Sequence, residues 1–405
     1  MRGRTAGVLR PRPVWNGVEL PTAFARPARY DFRTGLPDAR LFPHRVWRRV
    51  LARSMRVDEG TGGVYQDPAG SPELRAAIAR HAAIARGVHG HADEVIVTNG
   101  TQQALDVLAR ILLAPGDRIA VEDPGYAPPR RLFASLGLHV LGVPVDDEGL
   151  VVKALPSGVR AVYVTPSHQY PLGVRMSLSR RHELLAWADR TGAAIIEDDY
   201  DSEFRFGGRP LDALQSLDTA GRVAYVGSFS KTTLPTLRVG FLLVPESLRV
   251  AARKAKFVTD WHTSTLVQSA LAEFIECGAY ARHIRRMNAH YRRRHQLMTA
   301  VLARDFEKHL DVVPSSAGLH ITALARGWSA QRMAAVQARA IDDDVAIQIL
   351  STFAIARSTR VGVVLGYGAI ALGDIEEGLR RLRRCFRSEA VACRGDVHRL
   401  TGPDA

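Results

Sequence analysis

The stretch Tyr225-Val-Gly-Ser-Phe-Ser-Lys-Thr-Thr-Leu-Pro-Thr-Leu-Arg-Val-Gly-Phe241 places a lysine shortly after an apolar run. The run from Val223 to Val226 is typical of a strand, and a second apolar run follows the arginine. A lysine at this point can form a Schiff base with an aldehyde cofactor, and Ser228, Ser230 and Arg238 could hold the phosphate of that cofactor. Most lysines are solvated surface residues, so this interpretation needs support from the rest of the chain.

Length and composition indicate an ordinary globular protein. The 405 residues are enough for two or three domains, and 46% of them are hydrophobic and 24% charged. No apolar run approaches the roughly 20 residues of a membrane span, and no secretory signal is visible, so we expect a cytoplasmic protein without a membrane partner. Three scattered cysteines, Cys277, Cys385 and Cys393, argue against a disulfide framework or a clustered metal site.

The positive charge comes from arginine. The formal net charge is +14, yet the chain has only five lysines. A GC-rich genome produces this composition, and no helix-turn-helix or zinc-finger pattern is evident, so we do not expect nucleic-acid binding. The scarcity of lysines also leaves few candidates for a Schiff base.

The middle of the chain alternates between strand-like and helix-like patterns, which predicts an α/β fold with a mostly parallel sheet. The predicted strands are 94–98, 118–121, 139–143, 161–164 and 193–197, followed by the two runs around the lysine. The turn Asn99-Gly-Thr-Gln-Gln103 after the first of them opens a helix, where backbone N–H groups can gather around a phosphate.

Further groups that such a cofactor requires follow other predicted strands. The acidic cluster Asp198-Asp-Tyr-Asp201 comes after the strand 193–197, and one of Asp198, Asp199 and Asp201 could keep a pyridine nitrogen protonated. The aromatic ring of Tyr126 could pack on the ring of the cofactor. Each residue also has a purely structural interpretation, such as helix capping or core packing, but their coincidence favours a cofactor site.

Several motifs together resemble a known family. From Asp31 to about Arg384, the chain is similar to the aminotransferase-like domain of the MocR-type (GntR-class) regulators, a branch of the fold-type I pyridoxal phosphate enzymes (aminotransferase class I/II). The motifs that carry this resemblance are Phe32–Asp38, Asp67–Gly70, Glu122–Tyr126, Thr165–Gly173, Glu197–Phe204, Gly227–Lys231 and Leu365–Tyr367.

The resemblance implies a fold and a domain organisation. We expect a large domain with a mostly parallel seven-stranded sheet and a smaller α+β domain, in a homodimer with active sites at the subunit interface. The expected segments are a basic flexible arm (1–29), the N-terminal part of the small domain (30–60), the large pyridoxal phosphate-binding domain (61–280), the C-terminal small domain (281–387) and a disordered tail (388–405).

The resemblance also implies roles for individual residues. Lys231 would form the Schiff base and move the α-proton of the substrate, Asp198 would contact the pyridine nitrogen, and Tyr200 would reach the O3′ oxygen. Tyr126 would stack on the ring, and Tyr65 would reach the phosphate from the neighbouring subunit. The residues expected around the phosphate are Gly100, Thr101, Gln102, Ser228 and Arg238.

The chain departs from the family pattern in two places. Only about 29 residues precede the matched region, so we expect the winged-helix DNA-binding domain of the regulators to be missing. The last strand reads Val364-Leu-Gly-Tyr367 where many aminotransferases carry a carboxylate-binding arginine. Losing that guanidinium would weaken or redirect recognition of an α-carboxylate. Arg360 and Tyr170 are the candidates for binding the substrate instead.

Three functions remain compatible with the sequence. The first is an aminotransferase that acts on an amino acid or amine. The second is a pyridoxal phosphate enzyme of specialised metabolism that performs β- or γ-elimination, replacement or ring formation, because one fold supports many outcomes. The third is a ligand-sensing regulator fragment without turnover.

Overall fold

Runs of β-branched and apolar residues form the strands, and nearly all of the longer ones are buried. The computed structural model describes residues 9–18, 28–61, 63–207, 212–355 and 360–400. Its strands are β1 Tyr30–Asp31, β2 Val95–Thr98, β3 Arg118–Asp123, β4 His139–Asp146, β5 Gly149–Leu150, β6 Val159–Val164, β7 Ala194–Asp199, β8 Val223–Ser228, β9 Gly240–Leu243, β10 Leu310–Val312, β11 His320–Ala325, β12 Val345–Ala346, β13 Gln348–Ile349 and β14 Gly362–Gly366.

Helices fill most of the connections between these strands. The α-helices are α1 His44–Thr61, α2 Pro72–Arg86, α3 Thr101–Leu112, α4 Ala127–Ser135, α5 Leu178–Thr191, α6 Glu246–Asp260, α7 Thr265–Glu276, α8 Ala279–Asp305, α9 Ala330–Asp342 and α10 Ile375–Leu400. Helix α2 shows why such segments start where they do. Ser71 accepts a hydrogen bond from the Leu74 amide at 3.2 Å, and Pro72 occupies the first helical position.

The large sheet has the order β2-β9-β8-β7-β6-β3-β4-β5. Strands β8, β7, β6, β3 and β4 pair in parallel, whereas β9 is antiparallel to both of its neighbours. The α/β class with a mostly parallel sheet is therefore confirmed. The seven expected strands are all present, and the two-residue β5 adds an eighth at the edge. Both faces of the central strands are covered, which explains why they are continuous apolar runs rather than alternating ones.

A second sheet, with the order β10-β11-β14-β13, is antiparallel and packs with α8, α9 and α10 around its own apolar core. The segment expected to start the small domain divides between the two sheets. Strand β1 pairs with β12 next to this smaller core, whereas Trp47 and Val50 of α1 pack with Phe274 of α7 beside the large sheet.

The structure refines two predictions about helices. The pattern of residues 248–302 predicts a long helical region, and this region forms three helices separated near Trp261 and Gly278. The tail from Ser388 was expected to be disordered, but α10 continues to Leu400. The segment keeps helix-forming residues, and the Glu389 carboxylate pairs with Arg339 at 3.2 Å. Residues 401–405 lie outside the described part.

Of the basic arm, the structure describes residues 9–18 and 28–29. In the first of these segments a short 3₁₀-helix spans Pro13–Gly17, and the Arg12 guanidinium donates to the Ser135 carbonyl at 3.0 Å. The other residues of the expected arm, 1–8 and 19–27, lie outside the described residues. Among the helices that the structure describes, none is both long enough and apolar enough to cross a membrane.

Candidate active site

The candidate site lies where β7 and β8 end and α3 begins. Lys231 follows β8, and its Nζ donates a hydrogen bond to the Gly35 carbonyl at 2.8 Å. Burial lowers the pKa of this lysine, and the carboxylates of Asp201 and Asp198 oppose that change. The amine therefore lies close enough to both acids to feel their charge, at the edge where α/β sheets place their ligands.

The side chains of the adjacent acids Asp198 and Asp199 lie on opposite faces of β7, because successive side chains of a strand alternate. The Asp198 Oδ2 accepts a hydrogen bond from the Tyr163 hydroxyl at 2.7 Å, and its Oδ1 has no partner among the described residues. Burial raises the pKa of Asp198 to about 7. The Asp199 carboxylate instead binds Arg86 at 2.5 Å and the Tyr225 hydroxyl at 2.7 Å.

The third acid of the cluster, Asp201, is buried against a histidine. Its carboxylate lies 3.1 Å from His168 Nδ1. The Tyr200 hydroxyl donates to the His168 carbonyl at 3.0 Å and lies at the same distance from Nδ1. Tyr200 is therefore held by the loop that follows β6, and its expected contact with the O3′ oxygen stays a prediction.

The residues expected around a phosphate meet at the start of α3. Gly100 precedes the helix with φ of +80°, and Arg238, itself at φ of 53°, donates from Nη2 to the Asn99 carbonyl at 3.0 Å. Thr101 is the first residue of the helix. Free backbone N–H groups and a guanidinium at one helix N-terminus form a natural anion-binding site.

The other residues expected near the phosphate are less tightly defined. Ser228 ends β8 and its hydroxyl accepts from the Ser230 amide at 3.1 Å. The Gln102 side chain donates to the Pro128 carbonyl at 3.3 Å, so it is tied to the start of α4. The structure thus brings Ser228 and Ser230 together beside Lys231, and their contacts with a phosphate remain predictions.

We expect Gly100→Ala to weaken cofactor binding by about tenfold, because a Cβ there would lie 2.6 Å from the Arg238 guanidinium and strain a positive φ. Gly116→Ala is the matched control, since Gly116 also has a positive φ, of +93°, but has open space around the added atom. A fluorescence titration of the cofactor-free protein measures both affinities. Equal losses in the two variants would show that backbone strain, rather than contact with Arg238, causes the effect.

Two tyrosines border the cleft next to Lys231. The ring of Tyr126 lies edge-on to that of Tyr170, with centroids 5.4 Å apart. The pKa of the Tyr126 phenol is raised to about 12 by desolvation and by the charge of Asp198, against the opposing charge of Arg238. Tyr126 thus lies near both the acid expected at the pyridine nitrogen and the arginine expected at the phosphate, as a stacking ring would.

Sequence reasoning missed the polar residues that surround Tyr170. Its hydroxyl lies 2.5 Å from the Thr34 hydroxyl, and the Gln348 Oε1 accepts from both the amide and the hydroxyl of Thr34. Since Oε1 is occupied in this way, the amide nitrogen of Gln348 remains a donor. Gln348 pairs with Val364 across two antiparallel strands, and this proximity was not visible in the sequence.

The two remaining predicted residues lie away from these contacts. The Arg360 guanidinium is 3.9 Å from Asp147, in the turn between β4 and β5. Tyr65 is 74% exposed and packs on Trp261, with ring centroids 4.1 Å apart. Neither has a described contact with Lys231, so substrate binding by Arg360 and a contact of Tyr65 across a subunit interface stay predictions.

Comparisons with known proteins agree with this geometry. The family model for aminotransferase class I and II matches residues 36–365. The probable rhizopine catabolism regulatory protein MocR of Rhizobium meliloti is 38% identical, over 89% of this chain and 73% of that protein. The 2-aminoadipate transaminase of Thermus thermophilus is 31% identical, over 91% of this chain and 93% of that enzyme.

A solved structure shows the same likeness in three dimensions. LysN, the α-aminoadipate aminotransferase of Thermus thermophilus, was crystallised with N-(5′-phosphopyridoxyl)-L-leucine. It matches the present fold with a TM-score of 0.80 at 30% identity, over 89% of this chain and 93% of that one.

The present residues fit a phosphopyridoxyl group. The unpartnered, buried Oδ1 of Asp198 can accept from a protonated ring nitrogen, and the cradle at Gly100 and Arg238 suits a phosphate.

Proposed function

Because the chain belongs to the aminotransferase class I and II family, resembles the aminotransferase-like domain of the MocR-type regulators and has pyridoxal phosphate as its cofactor, we propose that it is a working aminotransferase. It would act on an amino acid or a related amine. The finding that relatives include both regulators and a transaminase makes turnover the property to be tested.

The placement of Lys231 carries this proposal. Its Nζ is held by a single described hydrogen bond, to a backbone carbonyl, and burial lowers its pKa. A lowered pKa increases the fraction of neutral amine, which is the form that attacks an aldehyde and accepts a proton. The negative charges of Asp198 and Asp201 stabilise the protonated amine and so oppose this lowering of the pKa. The amine can therefore both gain and release a proton.

The other residues of the site would bind and orient the cofactor. Pyridoxal phosphate, when bound, supplies an aldehyde for Lys231 and a ring that accepts electrons from the α-carbon of the substrate. The Asp198 carboxylate would accept a hydrogen bond from the ring nitrogen and keep it protonated. Arg238 and the amides at the start of α3 would hold the phosphate. Lys231 Nζ would move the proton from the α-carbon of the substrate to the aldehyde-derived carbon of the cofactor.

The surroundings of Val364 favour a second candidate. Its side chain is fully buried in an apolar cluster with Leu172, Leu350 and Phe353, against which Tyr170 also packs. A valine there offers no charge to an α-carboxylate. The neutral donors and acceptors of Tyr170 and Gln348 would then orient the substrate, which suits an amine or an amino acid held in a different pose. Elimination or replacement at the side chain is the alternative reaction in that case.

A half-reaction tests these proposals. The purified protein, loaded with pyridoxal phosphate, is mixed with single amino compounds while the cofactor spectrum and the products are followed. Conversion to pyridoxamine phosphate with a keto product supports an aminotransferase. Release or exchange of a side-chain group supports elimination or replacement. A spectral change on binding with no product supports a ligand sensor and contradicts both enzymatic proposals.

We also propose that the protein is a homodimer, with Tyr65 completing the site of the neighbouring subunit. Tyr65 and the partly exposed Trp261 and Phe257 form an aromatic surface that is costly to leave in water. The family resemblance supports the same arrangement, and light scattering on the purified protein measures the mass directly.

If Tyr65 completes the site of the neighbouring subunit, we expect two inactive variants to regain activity when they form mixed dimers. Mixing Lys231→Ala with Tyr65→Ala subunits would recover activity at about one quarter of the sites, because half of the dimers are mixed and each has one intact site. The two variants are refolded together, and turnover is compared with each alone. Activity that stays at the sum of the separate variants would place Tyr65 and Lys231 of one site in the same subunit.

A further inference from the structure

The Asp198 carboxylate has one described hydrogen-bond donor, the hydroxyl of Tyr163. The donor binds Oδ2 at 2.7 Å, and Oδ1 remains without a partner among the described residues. Tyr163 and Asp198 are 1% and 2% exposed, so water does not substitute readily for either contact. One oxygen is thus fixed by the protein, and the other is left for a ligand.

The position of the Tyr163 hydroxyl is set by the sheet. Tyr163 lies opposite Ile196 in the parallel register of β6 and β7, and Asp198 is two residues further along the same face. Its ring packs in the apolar core, edge-on to Phe133 at a centroid distance of 6.3 Å. A buried aromatic ring on a central strand has little freedom, so its hydroxyl is a rigid donor.

We propose that Tyr163 is a positioning residue for the cofactor: its hydroxyl holds Asp198 Oδ2, keeps the carboxylate ionised and directs Oδ1 to the pyridine nitrogen. This inference rests on the proposed function of the site. It extends the function to a residue that touches neither the substrate nor the reacting carbon.

The electrostatics of the pair agree with this role. Burial raises the pKa of Asp198 to about 7, and the hydrogen bond from Tyr163 is the largest of the effects that lower it. Burial also raises the pKa of the Tyr163 phenol, so the hydroxyl remains a donor over the working pH range. Without this donor, only the charge of Lys231 would oppose the effect of burial to a comparable extent, and the carboxylate would take up a proton more readily.

The opposite face of the sheet supplies a matched control. There the Tyr225 hydroxyl donates to Asp199 Oδ2, also at 2.7 Å, from the neighbouring strand β8. Both tyrosines are buried and both acids lie on β7. The two pairs share their bond type, their burial and an Oδ1 without a hydrogen-bond partner among the described residues. They differ because the Asp199 carboxylate is also bound by Arg86 and is not assigned to the cofactor.

The test compares Tyr163→Phe with Tyr225→Phe in protein loaded with pyridoxal phosphate labelled with ¹⁵N in the ring. The ring-nitrogen chemical shift is followed against pH. We expect Tyr163→Phe to lower the midpoint of ring-nitrogen deprotonation by about one pH unit, since a hydrogen bond to a charged group contributes that much. The rate of α-proton exchange should fall about tenfold, and Tyr225→Phe should change neither quantity.

A second measurement separates this role from a loss of stability. In the Asp198→Asn background, adding Tyr163→Phe should leave the nitrogen midpoint unchanged, because the acid that it positions is gone. Equal shifts in both backgrounds, or a wild-type midpoint in Tyr163→Phe, would overturn the proposal. The nitrogen readout needs no turnover, so a protein that binds the cofactor but does not transaminate contradicts the proposed function and leaves this test intact.

Discussion

Lys231→Ala is expected to lose the Schiff-base absorption of the bound cofactor and to reduce turnover by about 10⁴-fold, because nucleophile and proton carrier disappear together. The fold should survive, since the described hydrogen bond of Nζ is a single contact with the Gly35 carbonyl. Visible spectra, the rate of α-proton exchange and the melting temperature of one sample measure the three effects.

Two further lysine variants make this result specific. Lys231→Arg keeps a positive charge but cannot become a neutral amine, so it should be as inactive as the alanine variant. Lys254→Ala removes an exposed lysine from α6 and should leave the spectrum and the activity unchanged. A Schiff-base spectrum that persists in Lys231→Ala would refute the assignment and direct attention to the other lysines.

Replacing the two adjacent acids should have opposite consequences. Asp198→Asn keeps the shape of the side chain but removes the charge that we assign to the ring nitrogen, and we expect α-proton loss to slow about 10³-fold. Stability should change little or rise, because a buried carboxylate with one unpartnered oxygen is costly. Single-turnover kinetics with a deuterated substrate measures the proton-transfer step.

Asp199→Asn should instead destabilise the fold. It removes the carboxylate that pairs with the buried Arg86 guanidinium, and breaking such a pair costs about 3–5 kcal/mol. The folded fraction should retain its rate of proton transfer. Denaturant unfolding and the same kinetic assay are applied to both variants. A larger kinetic loss in Asp199→Asn would move the contact with the ring nitrogen by one residue.

Much of the large sheet could be predicted because the patterns that indicate its strands lie within short stretches of the sequence. Apolar runs followed by small or polar residues located β2, β3, β6, β7 and β8, and the alternation with helices predicted parallel pairing. Motif order also located Lys231, Asp198 and the turn at Gly100. These residues lie at or just after the ends of strands, so their convergence at one edge is a consequence of the sheet.

Contacts between distant segments could not be predicted in this way. Thr34, Tyr170 and Gln348 come from three separate parts of the chain and meet only because β13 joins the smaller sheet beside the cleft. The role of Tyr163 could not be predicted either, because a tyrosine within an apolar strand is typical of a core residue. The helical end of α10 was missed because its polar residues resemble those of a disordered tail, whereas the Glu389 carboxylate pairs with Arg339 of α9.

Because side chains alternate along β7, the site is more sensitive to a change in the length of this strand than to the substitution of one of its residues. Removing one residue from this strand would turn each following side chain to the other face. Asp199 would then arrive beside Tyr163, and Arg86 would lose its carboxylate partner, although every residue type needed was still present. Related chains can therefore vary individual residues of β7, but insertions and deletions should be confined to the loops that precede and follow it.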